Sequence, residues 1–380
     1  MKPKLRFNEF NDEWNKVKIS SIVQELKIKT GNTEKYPLWS LTIENGVTPK
    51  TDRYERSFLV KKDDNYKIVE PNYYVYNPMN AHLGAIARNK SNTTISVSGY
   101  YDIFKINNTN YGFYDNFFVS PVMFKQYKLI STGSLLEKQR VHYSQFKELE
   151  INLPTNNEQV KISNFLSLLD KKIELQSKKI EDLKLFKLSL REKLFYMFPT
   201  NNKKLSEILI KWNKKNKDNK YSYVESVSNK FGFIAQNEQF EDRNVASNDT
   251  SNYYVIEKGV FAYNPSRLNV GSLALKQNDK VSLVSPLYEC FTTNQNQDFM
   301  LEWFQSKEFK RGTFSKYEGG VRNTLNFNNL SSIEIKLPSL ESQSKIVKVL
   351  NCYNKMINLE LEILNKLLEF KKGLMQQLFI

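Results

Sequence analysis

Starting at Ile162 and stepping alternately four and three residues, one meets Leu166, Leu169, Ile173, Gln176, Ile180, Leu183, Lys187, Leu190, Leu194 and Met197, nine apolar side chains in eleven. Apolar residues at that period share one face of a helix. The same walk from Ile346 meets Leu350, Tyr353, Ile357, Glu360, Leu364, Leu367, Lys371, Leu374 and Leu378, with the polar interruptions at the same two steps. A seam held for five heptads in a charged sequence must bury itself against a similar seam, so two long helices are predicted over 154–199 and 338–380, paired as a coiled coil. The proline of Leu153-Pro154-Thr155 and of Leu337-Pro338-Ser339 stops the preceding strand, and the hydroxyl after it suits an N-cap. With Glu158 three residues beyond, only the first completes a capping box. Pro199 closes the first helix. Forty residues at 1.5 Å each reach about 60 Å, so an antiparallel pair would hold the regions ahead of each helix apart, at opposite poles.

Those regions, 1–153 and 200–337, alternate in short runs. Tyr73–Tyr76, Thr94–Val97, Ile103–Ile106, Tyr253–Ile256 and Ile333–Lys336 are β-branched or aromatic stretches bounded by Asn, Gly, Pro or Ser and read as strands. Phe117–Tyr127 and Gln297–Phe309 have helical spacing. Each region is predicted to be an independent α+β domain.

The chain is also written twice. Tyr76-Asn77-Pro78, Gly84, Val97-Ser98, Tyr101, Phe104 and Asn107 return as Tyr263-Asn264-Pro265, Gly271, Val284-Ser285, Tyr288, Phe291 and Asn294, all at an offset of 187. Leu153-Pro154, Gln159, Lys161-Ile162 and Leu194-Phe195 return as Leu337-Pro338, Gln343, Lys345-Ile346 and Leu378-Phe379 at an offset of 184. A period near 185 is far too long for a solenoid. The fold is therefore expected to be two copies of an α+β domain, each followed by a long helix.

Composition narrows the chemistry. The 380 residues carry 56 Lys+Arg against 41 Asp+Glu, a formal charge of +15, which favours an anionic partner. No run approaches eighteen apolar residues, and the opening MKPKLRFNEFNDEW has no continuous apolar stretch, so a cytoplasmic protein without a membrane segment is expected. Cys290 and Cys352 stand far apart and are expected to be buried free thiols, without disulfide or metal. Two histidines give hydrolytic triads little support. Asn77-Pro78 continues with Met79 and Asn264-Pro265 with Ser266, so neither is the Asn/Asp-Pro-Pro-Tyr/Phe motif of an amino-methylating enzyme, and no phosphate-cradling loop ends in Gly-Lys-Ser/Thr. Glu334-Ile335-Lys336 resembles part of a nuclease carboxylate-lysine pattern, a triplet that any alternating strand produces readily. No catalytic residue and no cofactor is assigned to this chain.

The plain reading of the Tyr-Asn-Pro elements is a turn, with glycines allowing tight backbone. The loops around them offer basic residues to DNA. Lys50, Arg53, Arg56, Arg88 and Lys90 are the candidates in the first domain, and Arg243, Arg267, Lys276, Arg311, Lys316 and Arg322 in the second. Arginine forks match guanine edges and phosphates, whereas lysines supply mainly charge. Tyr54, Asn80, Asn89, Asn92, Tyr317 and Asn323 lie among them, and the lysine-rich run 211–220 suits phosphate contact or simple solubility.

On these residues the chain resembles the specificity subunit of a type I restriction-modification system, over essentially its whole length. The carriers are Lys4-Leu5-Arg6-Phe7 through Glu13-Trp14, the Tyr-Asn-Pro plus Gly elements, and Leu-Pro followed by Gln and the heptad helix, the last two occurring twice. The resemblance implies that each front domain is a target-recognition domain reading one half of a bipartite double-stranded DNA sequence, and that the paired helices set the spacer. It implies two modification subunits that bind the helical part and the recognition domains and methylate adenine with S-adenosylmethionine, and restriction subunits that use ATP and Mg. This chain would confer specificity without chemistry. The first copy departs from the second by lacking an arginine at the position of Arg267. A rival reading is a non-catalytic coiled-coil protein whose basic surface binds acidic partners.

Overall fold

The computed structural model describes residues 2–50, 66–133, 139–229, 232–235, 249–314, 316–317 and 324–380. The chain forms two compact units, Met1–Lys178 with Leu361–Ile380, and Lys179–Glu360.

In the first unit, an antiparallel sheet of four strands runs in the order Val23–Leu26, Asp102–Ile106, Tyr74–Tyr76, Ile86–Arg88. Beside it lie a three-stranded sheet of Lys29–Thr30, Tyr66–Val69 and Ile95–Ser98 and a hairpin of Trp39–Thr42 with Gly46–Pro49. On the four-stranded sheet Tyr74 and Phe104 stack at 5.3 Å and 6°, and Phe113, Phe117, Phe118, Tyr127 and Phe146 complete an aromatic core. Offset-stacked and edge-on rings at such distances add favourable contacts to plain area burial. Into the same core go Ile162 and Leu166 of the first long helix, Asn156–Phe195, and Leu374, Met375, Leu378 and Phe379 from the end of the second, Leu340–Leu378, and just past it.

The second unit repeats the plan. Its sheet runs Leu209–Lys211, Glu289–Thr293, Phe261–Tyr263, Leu273–Leu275, the same order built from the matching strands. Phe261 and Phe291, the counterparts of Tyr74 and Phe104, stack at 5.1 Å and 1°. Leu194 and Phe195 of the first long helix and Ile346, Val347 and Leu350 of the second enter this core. Within each unit the end of one long helix packs beside the beginning of the other, so the pairing is antiparallel. Lys371 reaches Asp170 at 2.5 Å in the first unit, and in the second Lys179 reaches Glu360 at 2.6 Å. Every seam position from 162 to 194 and from 346 to 378 is buried or half-buried, while most helix positions between them are exposed. Met197 lies past the helix end, 69% exposed.

Four local expectations are corrected. The stretch Phe117–Tyr127 is two helices, Tyr111–Phe117 and Pro121–Ile130, because Pro121 has no N–H to continue the first and Ser120 caps the second through Met123 N. Gln297–Phe309 likewise divides into Gln297–Phe304 and Lys307–Phe314, with Ser306 Oγ accepting from Phe309 N at 3.1 Å. The capping box at Thr155 does not form. Glu158, 1% exposed, turns both oxygens to the Arg6 guanidinium at 2.7 and 2.8 Å, and it is Ser339 that caps its helix, accepting from Ser342 N at 3.3 Å. Of the two thiols only Cys290 is buried, and burial pushes it far above the usual thiol range; Cys352 is exposed.

Candidate nucleic-acid interface

Each Tyr-Asn-Pro element is a rigid elbow after a buried strand. Asn77 Oδ1 accepts from Met79 N at 3.0 Å, and Asn264 Oδ1 accepts from Ser266 N at 3.0 Å. A short helical turn follows, Ala81–Leu83 or Leu268–Val270, and closes on Gly84 at φ 97° or Gly271 at φ 91°. That left-handed backbone favours glycine strongly. Each elbow is tied down through its proline carbonyl, which accepts from Val141 N at 2.9 Å in one copy and Leu325 N at 3.1 Å in the other. The turn is thus structural, and what it presents is its outer face: Arg267 in the second domain, exposed, with its amide bonded to Asn264 O at 3.0 Å. Asn80, the counterpart at the 187 offset, is exposed in the first. With the backbone already fixed, meeting a base edge or phosphate orders only the side chain, and its planar fork suits both partners.

Two predicted DNA contacts are corrected by burial. Arg88 is 16% exposed in its side chain and gives its Nε and NH2 to Asp115 at 3.1 and 2.9 Å, while lying over the Tyr111 ring at 5.1 Å. Tyr74 Oη donates to the same carboxylate at 2.8 Å, and burial and then the Asp115 charge hold that hydroxyl well above the usual tyrosine range, so it stays a donor. A fork so engaged is spent inside the domain. Lys276 has a fully buried side chain paired with Glu225, itself 5% exposed. The sequence suggested a loop lysine facing DNA; Lys276 lies just past the strand Leu273–Leu275, and its side chain turns into the domain. Asn89 is fully buried too, donating to Val69 O and Thr93 O and accepting from Ser91, so it shapes a turn.

The remaining candidates divide cleanly. Lys50 and Arg311 are exposed and Lys316 is half-buried. Lys90 is 69% exposed, 3.3 Å from Asp115. Arg53, Arg56, Arg243 and Arg322 lie outside the described residues, as do Tyr54 and Asn323. In the run 211–220, three lysines are engaged locally: Lys211 with Glu289 at 3.3 Å, Lys214 with Glu257, and Lys215 with Asn252 O at 2.9 Å over the Tyr254 ring at 3.2 Å. Burial lowers the Lys215 pKa. Lys217 and Lys220 stay exposed, and Lys280, which sequence reading passed over, joins them 3.2 Å from the Tyr223 ring. Lysines laid on tyrosine rings were legible only as composition, because their partners lie about sixty residues away in one case and forty in another.

Outside the seam the long helices carry exposed apolar side chains, including Leu168 at 69%, Leu175 at 58% and Phe370 at 58% in the first unit, and Leu185 at 64%, Leu359 at 58% and Met356 at 45% in the second. A helix pair that needs only one seam has no internal use for them. No helix among the described residues is long and apolar enough to cross a membrane, and no group of His, Cys, Asp and Glu among them could hold a metal ion.

Known proteins agree with this organisation. The family model of the type I restriction modification DNA specificity domain matches residues 11–185 and again 199–369. The chain is similar in fold to the type I restriction-modification system S subunit from M. genitalium, with a TM-score of 0.52 and 16% identity over 100% of this chain and 99% of that one. It is similar, with a TM-score of 0.59 and 12% identity over 98% of both chains, to a structure describing complex assembly and conformational transition of the type I R-M system. No curated protein matches it in sequence. With the sheets of both domains and the greater part of each long helix falling inside the two matched segments, the chain belongs to the type I restriction modification DNA specificity family.

Proposed function

We propose that the two domains, 1–153 and 200–337, each read one half of a bipartite double-stranded DNA target, and that the long helices, 154–199 and 338–380, set the number of unread base pairs between the halves. As the specificity subunit the chain selects the sequence and performs no chemistry. Two modification subunits dock on the apolar residues that the seam leaves outside, at Leu168, Leu175, Leu185 and Leu359, and bring S-adenosylmethionine. Restriction subunits bring ATP and Mg. The assembly works in the cytoplasm, where the DNA is. The observation that carries the reading is the repetition of one sheet order and one stacked aromatic pair in both units, beneath loops that differ in sequence. Neither the family nor the fold favours the rival reading of a protein that binds acidic partners.

Arg267, Lys50, Lys90, Arg311 and Lys316 contact the DNA, with Arg53, Arg56, Arg243 and Arg322, while Arg88 and Lys276 act inside their domains. Mapping of methylated adenines in cells that express this chain with its modification subunits tests the reading directly. Two short motifs separated by a fixed unread gap are expected, and scattered or single-motif methylation refutes it. Lengthening both helices by a heptad, next to Gln176 and at the facing position of the second, adds about 10 Å and should widen the gap by about three base pairs, at 3.4 Å each, with both motifs intact. An unchanged gap refutes the spacer role.

A further inference from the structure

In the second unit three helix side chains converge on one carboxylate of the recognition domain. Glu302, in the helix Gln297–Phe304 and 7% exposed, accepts from Lys187 at 2.6 Å and Arg191 at 3.5 Å, both on the first long helix, and from Asn354 at 3.4 Å on the second. Arg191, 4% exposed, continues to Gln305 O at 2.9 Å, and Glu192 accepts from Lys307 N at 3.1 Å. One patch of the domain is thereby tied to both rods through groups that are nearly out of water, where ion pairs are screened least.

The first unit has every corresponding position and uses them differently. Asp115, which matches Glu302 at the 187 offset, is turned into its own domain toward Arg88, Lys90 and Tyr74. Lys371, matching Lys187, pairs with Asp170, which matches Asn354, so that this bond joins helix to helix. Arg191 is matched by the buried Met375. Where the second unit is tied, the first has an open cleft of about 750 Å³ between domain and helices, lined by Arg88, Asp115, Ser163, Asp170 and Lys371 among others.

We infer that Glu302 is a positioning residue for target recognition: it fixes the angle of the second recognition domain on the helix pair and so the base-pair spacing the protein accepts. The inference rests on the spacer reading above. Without the carboxylate, Lys187 loses its counter-charge and Arg191 keeps only Glu192 at 3.6 Å, so the domain must tilt to let the uncompensated charge reach water. Base contacts are untouched by this; the relation of the reading surface to the helices is not.

The test uses the full chain assembled with its modification subunits, and duplexes carrying the mapped half-sites at the native spacing and at one base pair more or fewer. Glu302→Gln keeps the side-chain shape and removes the charge. Its ratio of methylation rate on native against altered spacing should fall at least tenfold, with the half-site motifs unchanged. The exchange Glu302→Lys with Lys187→Glu again gives one carboxylate between two cations and should restore the ratio. Lys187→Met, which leaves Arg191 on Glu302, should give an intermediate ratio and serves if the first variant does not fold. A uniform loss on every duplex, or a folded Glu302→Gln protein with an unaltered ratio, overturns the inference. If lengthening the helices shifts the gap while Glu302→Gln changes nothing, the spacer reading stands and this one fails; if lengthening has no effect, the spacer reading fails first.

Discussion

Lys276→Met separates a folding role from a DNA-binding one. The ammonium of Lys276 is fully buried against Glu225, which is 5% exposed, and lies 5.5 Å from the Phe233 ring. Methionine keeps most of the stem but leaves a buried carboxylate without its counter-charge. Losing one partner of such a pair costs about 3–5 kcal/mol. For a folding unit of this size each kcal/mol lowers the melting temperature by about 2–4 °C, so a fall of roughly 6–20 °C is expected. Hydrogen exchange on the intact chain localises the effect: protection should drop in Glu225–Ser228 and Leu273–Leu275 and hold in Tyr74–Tyr76 of the other unit. Replacing both groups, Lys276→Met with Glu225→Met, should recover most of the loss, since a buried pair gains little over an apolar one. If Lys276→Met leaves melting and exchange unchanged but weakens DNA binding and flattens its salt dependence, the lysine is a phosphate contact and the burial argument is refuted.

Leu166→Ala and Leu350→Ala, both at fully buried seam positions, should each cost about 2–5 kcal/mol, with exchange rising in the first unit for one and in the second for the other; equal effects on both units contradict the division of the seam between two cores. Gly84→Ala and Gly271→Ala should each lose about 1–2 kcal/mol from the left-handed backbone, and Gly84 more, because an added Cβ meets the Phe124 ring at 3.1 Å; chemical denaturation reads both. Burial holds the Tyr127 and Tyr74 hydroxyls well above the usual tyrosine value. A folded-state pKa above the unfolded value near 10 stabilises the native state fully below that pH, and the stability is lost as pH rises from about 10 through the folded values. Alkaline unfolding should therefore accompany the late tyrosinate absorbance, and reversible ionisation of every tyrosine in the native protein near pH 10 would contradict it. Arg267→Ala should cost about 1–3 kcal/mol at one base position if the fork reads a base, measured by methylation of single-substitution duplexes, and a loss equal for all sequences would make it a phosphate contact.

The long helices were legible because a seam needs nothing beyond its own period: each residue from Ile162 to Leu194 and from Ile346 to Leu378 in the walk is buried or half-buried. Two copies of one domain were legible from the repeat, and Tyr74 with Phe104 and Phe261 with Phe291 share one offset and one stacking geometry; the order of the strands was not, because pairing is set by contacts far apart in the chain. Charge was legible in amount and not in place. Arg88, Lys276 and Glu158 each found a partner 27, 51 and 152 residues away, and no local pattern reveals which side of a short strand a loop will cover. The Pro121 break was present in the sequence and outweighed helical spacing, as a missing N–H does.

The two charged rungs of the helix pair, Lys371 with Asp170 in one unit and Lys179 with Glu360 in the other, make the pair behave like a keyed shaft. A slide of seven residues would realign leucine with leucine, yet it would strip both rungs of their mates and draw Phe379 away from Phe113 and Phe117. Reach is consequently notched: insertion or removal of whole heptads can reset it, while thermal drift along the seam is opposed.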